Sequence, residues 1–182
     1  MNWNEHLPAL LLALPLLGAF LAPLCSLGGK TLRNAMLVAV SFFTLLVAFF
    51  LWRTVLADGI QYYVMGGENS RLALPSGMAI PIRIILEVDA LSAFMALCGA
   101  IASFAGALFS LNYMSRFTGL SRFASLYLLL TAGMLGMMIT GDIFNFFVFI
   151  EVSSIASFGL IAFWRDRPAA VEASFKYALI SQ

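Results

Sequence analysis

The composition of this 182-residue chain is that of a protein surrounded by lipid. Hydrophobic residues make up 62% of the chain and charged residues only 10%, and the mean hydropathy is +0.97; a soluble domain carries about a quarter charged residues. The net charge of +1 excludes a nucleic-acid partner bound by phosphate neutralisation, which requires strong basic patches. We therefore expect a polytopic membrane protein whose surroundings are the lipid bilayer.

The sequence contains few side chains that could bind a metal or a cofactor. Cys25 and Cys98 lie far apart in apolar segments, and the single histidine, His6, is close to the N-terminus. Zinc, haem and iron–sulfur centres need clusters of such ligands. We expect no metal and no cofactor in this chain.

Five complete transmembrane helices and the start of a sixth are predicted, because a bilayer core about 30 Å thick needs about 20 apolar helical residues. The complete spans cover residues 7–27, 34–52, 91–114, 123–140 and 143–164. The incomplete span begins at Pro168, a favourable residue for the first turn of a helix. The predicted fold is an all-α polytopic membrane protein, a single membrane domain over residues 1–182.

The connection between the second and third helices, residues 57–88, has a different pattern. It contains two runs of β-forming residues, IQYYVM (60–65) and IPIRIILEV (80–88), separated by a segment rich in glycine, serine and proline. Such runs predict a small external β-hairpin. An irregular loop is the alternative.

Basic residues are concentrated in three alternate loops, GGKTLR, SRFTGLSR and RDRP. These loops contribute Lys30, Arg33, Arg116, Arg122, Arg165 and Arg167. Basic loops of membrane proteins face the cytoplasm. We therefore expect the N-terminus and residues 57–88 to lie outside the cell.

Small residues recur along the third and fourth helices. Ala102, Gly106 and Ser110 are spaced by four residues, and Gly133 and Gly136 follow in the next helix. Small side chains let membrane helices approach closely. We interpret these positions as packing surfaces.

Glu151 is the one charge between Asp142 and Arg165, near the middle of GDIFNFFVFIEVSSIASFGLIAFW (141–164). It is the ninth residue of the predicted fifth helix, about 12 Å from its outer end. A carboxylate at the bilayer centre costs roughly 2–3 kcal/mol or more. We interpret Glu151 as a buried, protonatable station in an ion path. A structural ion pair and a permanently neutral carboxylic acid are the alternatives.

Lys176 is the candidate partner of Glu151 in that path. It follows Pro168 by eight residues, so two antiparallel helices could bring both side chains to mid-membrane. The alternative is a pair with Glu172, because a glutamate four residues before a lysine is a favourable helical spacing.

Asp89 and Asp142 precede the third and fifth helices. Aspartate is favoured at the N-cap, where its carboxylate accepts a hydrogen bond from the first turn. We predict that both residues are N-caps.

The segment GDIFNFFVFIEVSSIASFGLIAF resembles the fifth transmembrane helix of a known family. The family is the antiporter-like subunits shared by respiratory complex I, Mrp cation/proton antiporters and membrane-bound hydrogenases. The chain also resembles other helices of this family, at the segments EVDALSAFMAL, SLNYM, GLSRFASLYLLLTAGMLGMMITGD and ASFKYALISQ. YYVMGGEN and IPIRIILEVD are most similar to the large antiporter-like subunit of archaeal-type membrane-bound hydrogenases and of the related sulfane reductases. The resemblance covers nearly the whole chain.

The resemblance implies a function in ion transport. It places Glu151 at the family's proton-path glutamate and Lys176 at a lysine that some members carry in the sixth helix. The expected protein is an ion-translocating (H+ and/or Na+) subunit of a multisubunit respiratory complex in a prokaryotic cell membrane. As a pumping subunit of an oxidoreductase of the hydrogenase or NADH-dehydrogenase type, it would hold no redox centre itself.

The family pattern continues beyond this sequence, with a broken seventh helix that bears an essential lysine. We therefore expect other membrane subunits as partners, one of them supplying the later helices and the buried lysine. We also expect Gln182 to be sheltered from lipid, because unsatisfied backbone groups inside the hydrocarbon cost several kcal/mol each.

Two other functions are compatible with the residues. The chain could be a non-conducting structural or assembly subunit of the same kind of complex. It could also be a quinone-interacting membrane subunit of an oxidoreductase. Neutralising Glu151 distinguishes the first of these from ion transport, because a scaffold would show altered assembly or no effect, and never altered coupling.

Overall fold

The computed structural model describes residues 3–65, 72–73, 79–80 and 84–181. Within these ranges the chain is mainly helical, and a short strand region separates the second and third helices. The helices are α1 (Leu7–Leu27), α2 (Lys30–Asp58), α3 (Ala90–Tyr113), α4 (Leu120–Ile139), α5 (Ile143–Ile161) and α6 (Pro168–Ser181). The strands are β1 (Gln61–Met65), β2 (Leu72–Ala73), β3 (Ala79–Ile80) and β4 (Ile84–Val88).

Helices α1 to α5 are each long and apolar enough to cross a membrane, which confirms the five predicted spans. Their ends differ from the prediction by a few residues. α2 is 29 residues long and extends past Arg33 and Arg53, which were expected to bracket it. Gly29 and Gly59 flank it with φ of 105° and 83°, a region that glycine enters without strain. In contrast, α5 is shorter than predicted, because it ends at Ile161, three residues before the predicted end.

The first four helices form a bundle with two clusters of buried apolar side chains. In the cluster near the strands, Leu11, Leu51 and Leu135 are fully buried. The second cluster, towards the basic loops, contains Ala22 and Leu128. α5 packs mainly on α4, and α6 packs on α5, so these two helices lie at one edge of the bundle.

Helices α4 and α5 approach closely at glycine. A Cβ atom at Gly133 would collide with Ser153, and one at Gly136 would collide with the ring of Phe149. The prediction that Gly133 and Gly136 form a packing surface is therefore confirmed.

The predicted packing face of α3 is wrong at one position. Ala102 is exposed, because the buried stripe of the helix runs through Ala96, Ala100, Ser103, Ala107 and Ser110. Gly106 does provide a close approach, since a Cβ there would collide with the Tyr127 hydroxyl. That hydroxyl donates to the carbonyl oxygen of Ser103 at 2.6 Å and ties α4 to α3.

The connection between α2 and α3 contains the predicted hairpin and not an irregular loop. β1 and β4 pair antiparallel, in register from Gln61 with Val88 to Met65 with Ile84. β2 and β3 form a second, shorter antiparallel pair. The predicted second strand began at residue 80, and its residues 81–83 lie outside the described part of the chain. Leu86 and Val88 are fully buried, so β4 is docked on the helical bundle.

Candidate ion-path residues on helices α5 and α6

The start of α5 is fixed by a cap and by the hairpin. The Asp142 carboxylate accepts a hydrogen bond from the amide of Phe144 at 2.8 Å, which confirms the predicted N-cap. The Thr140 hydroxyl accepts a hydrogen bond from the amide group of Asn145 at 3.3 Å. Gly141 donates its backbone N–H to Ile85 of β4 at 2.9 Å. These contacts determine where α5 begins and therefore how deep each of its residues lies.

Glu151 lies near the middle of α5. It is the ninth of 19 residues, which places it about 12 Å from the start of the helix and about 15 Å from its end. A helix of this length is about 28 Å long and matches a hydrocarbon core about 30 Å thick. Glu151 therefore lies at the distance from the start of the helix that the sequence predicts.

The Glu151 side chain is on the outward side of α5. It is exposed, as are Phe144, Phe147 and Ile155 along the same side, which are 73%, 61% and 48% exposed. We call these four residues the Glu151 stripe. The predicted burial of Glu151 is thus not provided by the described helices of this chain, because α5 turns its Ser153 side towards α4. Only lipid or a further protein segment can enclose this face in a membrane.

Lys176 lies on the exposed side of α6. Its ammonium nitrogen is 2.6 Å from a carboxylate oxygen of Glu172, and the two side chains are 70% and 66% exposed. This is the four-residue pair weighed as the alternative to an interaction with Glu151.

The contact between α5 and α6 sets the relative depth of the two predicted site residues. The Ser174 hydroxyl donates to the carbonyl oxygen of Phe158 at 2.8 Å. Because α5 and α6 run antiparallel, this hydrogen bond places Ser174 at about the depth of Phe158. Glu151 lies seven residues before Phe158, so the α6 residue at the depth of Glu151 is the one seven residues after Ser174, at position 181. Lys176 is five residues short of that position, an axial offset of about 7.5 Å. The pair with Glu172 draws the Lys176 ammonium group about one turn towards the basic loops and therefore away from the depth of Glu151. A direct contact between Glu151 and Lys176 stays a prediction.

The charged residues of the loops divide between the two ends of the bundle. The starts of α2 and α4 and the end of α3 line one small cavity, with Lys30, Arg33 and Ser115 among its residues. The predicted placement of the basic loops at one end is consistent with this cavity. Which end faces the cytoplasm stays a prediction.

The opposite end holds acidic residues beside the hairpin. The Asp89 carboxylate accepts a hydrogen bond from the amide of Ser92 at 2.7 Å, which confirms the second N-cap and lowers the pKa of Asp89. The Tyr62 hydroxyl donates to the Glu87 carboxylate at 3.2 Å, and this hydrogen bond to a negative group raises the pKa of Tyr62.

Within the described part of the chain, no group of three or more histidine, cysteine, aspartate or glutamate side chains is placed to hold a metal ion. Cys25 and Cys98 are free thiols. The expectation that the chain holds no cofactor stays a prediction.

Sequence and structure comparisons connect these helices to known proteins. Residues 75–124 match the family described as "NADH-Ubiquinone oxidoreductase (complex I), chain 5 N-terminus". Residues 140–182, which contain Glu151 and Lys176, match "NADH:quinone oxidoreductase/Mrp antiporter, TM". A chain of the membrane-bound sulfane sulfur reductase, an archaeal respiratory membrane complex, superimposes with a TM-score of 0.77 and 34% identity, over 94% of this chain and 33% of that one.

The chain belongs to the antiporter-like, complex I-related membrane subunit family.

Two curated relatives agree with this assignment. NADH-quinone oxidoreductase subunit N of Desulforudis audaxviator is 31% identical over 97% of this chain and 34% of its own length. A component of the probable K+/H+ antiporter of Rhizobium meliloti is 31% identical over 99% of this chain and 32% of its own length. The chain therefore spans about a third of the length of these relatives and corresponds to the N-terminal part of an antiporter-like subunit.

The structure of this antiporter-like chain adds a positioning element that the sequence analysis missed. Thr140 and Gly141 connect α4 to α5, and both contact β4. Thr140 forms an isolated antiparallel β-bridge with Leu86. The carbonyl oxygen of Ile85 accepts a hydrogen bond from the backbone N–H of Gly141. The only signal in the sequence was the predicted hairpin itself. Nothing in the one-dimensional pattern indicates which turn a hairpin strand will contact.

Proposed function

We propose that this chain is part of an ion-translocating (H+ and/or Na+) subunit of a multisubunit, complex I-related respiratory complex, such as a membrane-bound hydrogenase or an Mrp-type antiporter. Glu151 is the proton-binding station on α5. The observation that carries the proposal is the position of Glu151, the only charged residue of α5, at the middle of a membrane-length helix. Membership of the antiporter-like family supports a role in ion transport.

A charged side chain is unfavourable in hydrocarbon. A carboxylate at mid-membrane costs roughly 2–3 kcal/mol or more, and such residues mark ion pathways, proton relays and ion pairs. Glu151 can be accommodated there when it binds a proton or faces a cation. A group that alternates between these two states can accept a proton from one side and release it to the other.

The Glu151 stripe indicates where the rest of the path lies. Phe144, Phe147 and Ile155 surround the carboxylate with exposed apolar surface, and a further helix packed there would enclose Glu151. We propose that other membrane protein covers this stripe and brings the buried lysine within reach of Glu151, directly or through water. In this arrangement Lys176 is a second station of the path, and Glu172 is its resting partner.

The proposed setting follows the relatives. The complex lies in the cell membrane of a prokaryote, with the N-terminus and the hairpin outside and the basic loops in the cytoplasm. The other partners are membrane subunits of the same complex.

A set of three variants tests this function in vesicles that contain the intact complex. Glu151→Gln removes the titratable group at nearly constant volume, and we expect normal assembly with ion-coupled proton movement abolished or strongly slowed. Glu151→Asp keeps the acid with a shorter reach, so a milder loss is expected. Asp166→Asn is the control, because it also removes one carboxylate from an exposed position of the same chain, in the loop between α5 and α6 and outside the proposed path. Wild-type transport by an assembled Glu151→Gln complex would contradict the proposal.

A structural or assembly role is the second candidate. The observation that favours it is the Lys176–Glu172 pair. In this pair the ammonium group that was predicted to interact with Glu151 is bound to a different carboxylate. Under this role Glu151→Gln lowers the amount of assembled complex, and the transport per assembled complex is unchanged. The same vesicle experiment, normalised to assembled complex, separates the two functions.

A further inference from the structure

A groove lies between α1, α4 and α5 at the end of the bundle that carries the basic loops. Its volume is about 530 Å³, within the range of about 300–1,000 Å³ found for sites that bind small molecules. The deeper part of the groove is apolar and is lined by Pro23, Leu126, Ile155 and Phe158. A slot of this kind, open to the hydrocarbon along one side, fits an acyl chain.

The mouth of the groove is positively charged. Arg122, from the first turn of α4, and Arg165, from the loop after α5, both line it, and both are exposed. No carboxylate is among the described residues that line the groove. The two arginines are therefore available for an anionic group at the level where lipid phosphates lie.

A hydroxyl group without a partner lies in the same groove. Ser125 lines it one turn deeper than Arg122, and within the described part of the chain the buried Ser125 hydroxyl oxygen has no hydrogen-bond partner. A buried hydroxyl that makes no hydrogen bond is unfavourable. An ester or phosphate oxygen held by the arginines would be at the right depth to accept its hydrogen bond.

We propose that this groove is a binding site for one anionic glycerophospholipid. Arg122 and Arg165 bind the phosphate, the Ser125 hydroxyl donates to the glycerol or ester oxygens, and one acyl chain runs along Leu126 and Phe158 towards Ile155. Basic pockets between transmembrane helices on the cytoplasmic side are sites for anionic headgroups. The inference does not depend on ion translocation. Ile155 belongs to the Glu151 stripe and lines the groove, so the end of the acyl chain reaches the edge of this stripe, one turn from Glu151.

Other arginines at this end of the bundle have different surroundings and supply the control. Arg167 is held over the ring of Trp164, 5.4 Å from its centroid. Arg116 lines a separate cavity with Phe109 and Tyr113. Removing Arg116 takes one positive charge from the same end without changing the residues that line the groove.

The experiment uses the intact complex reconstituted in vesicles that contain a trace of phospholipid with a photoactivatable acyl chain. The probe is phosphatidylglycerol in one sample and phosphatidylcholine with the same acyl chains in the other. After illumination, labelled peptides of this chain are mapped by mass spectrometry. The variants are the double substitution Arg122→Gln with Arg165→Gln, the control Arg116→Gln, and Ala162→Leu, which fills the groove without changing charge.

We expect phosphatidylglycerol to label residues of the groove, such as those around Leu126 and Phe158, roughly 25-fold more than phosphatidylcholine, because each of the two arginines near an anionic headgroup contributes about fivefold in affinity. The double variant should lose this preference, Ala162→Leu should lose the labelling with both probes, and Arg116→Gln should behave as wild type. Equal labelling by the two lipids, or an equal loss in Arg116→Gln, would overturn the proposal. So would the absence of labelling in the wild type, which would mean that another protein segment fills the groove.

Discussion

Gly141 and Ile85 are joined by a backbone hydrogen bond of 2.9 Å, which ties the turn before α5 to strand β4. The hairpin therefore does more than cover one end of the bundle. It holds the residue from which α5 starts, and the depth of Glu151 in the membrane depends on that start. The two parts of the chain that stand out in the sequence, the hairpin and the fifth helix, are thus in direct contact.

The first prediction concerns this contact. A Cβ atom at Gly141 would lie 2.9 Å from the Cβ of Glu87, so Gly141→Ala must displace β4. We expect a loss of about 1–3 kcal/mol in the free energy of unfolding, as for other overpacked sites. The measurement is thermal unfolding in detergent, followed by reaction of exposed thiols or by light scattering.

Gly99→Ala is the matched control. A Cβ atom at Gly99 would meet its nearest neighbour, in Leu135, at 3.5 Å, an ordinary contact, so this variant should be at least as stable as the wild type. Equal stability of the two variants would mean that the turn does not depend on its contact with β4.

The second prediction is a pH dependence at the start of α3. The hydrogen bond from Ser92 lowers the pKa of Asp89 in the folded chain. A group whose pKa is lower when folded stabilises the fold above its unfolded pKa, about 3.9 for aspartate, and loses this effect as the pH falls through the folded value. Asp89→Ala should therefore lower stability by about 1 kcal/mol at neutral pH.

The test is the difference in unfolding temperature between wild type and Asp89→Ala, measured from neutral pH down to about pH 3. The difference should shrink as the Asp89 carboxylate is protonated. A difference that stays constant down to the lowest pH would show that the charge of Asp89 does not contribute to the cap.

The third prediction concerns topology. Asp58 lies at the hairpin end of α2 and Ser115 at the basic-loop end of α3, and both are exposed. In a background in which Cys25 and Cys98 are replaced by alanine, single cysteines at the two positions should react from opposite sides of the membrane with an impermeant thiol reagent. We expect the cysteine at position 58 to react from outside the cell. Reaction of both from the same side would contradict the five-span topology.

The sequence was sufficient to predict the elements of the fold but not the faces that they bury. Helix lengths, the hairpin and the caps at Asp89 and Asp142 follow from local patterns, namely apolar run length, β-forming residues and the chemistry of the first turn. Helices α3 and α5 are apolar on all sides, so no hydrophobic period marks an inner face. For this reason Ala102 was assigned to the wrong side of α3, and the sequence did not indicate that Glu151 faces away from α4.

The partner of Lys176 was undecided for a related reason. The spacing to Glu172 is visible in the sequence, whereas a contact with Glu151 depends on the packing of α6 against α5. The hydrogen bond from Ser174 to Phe158 fixes that register, and no local pattern encodes it. The expected surroundings of Gln182 lie outside the described residues and stay a prediction.

The central claim is that Glu151 takes up a proton inside the membrane and that ion movement requires it. A membrane-soluble carbodiimide adds to protonated carboxyl groups in apolar surroundings, so it can report on this residue in the wild-type complex. The most direct measurement follows the fraction of Glu151 modified, by peptide mass spectrometry, together with ion-coupled proton movement in the same vesicles. We expect Glu151 to be modified and transport to fall in proportion to its modification. Undiminished transport in vesicles whose Glu151 is almost completely modified would contradict it.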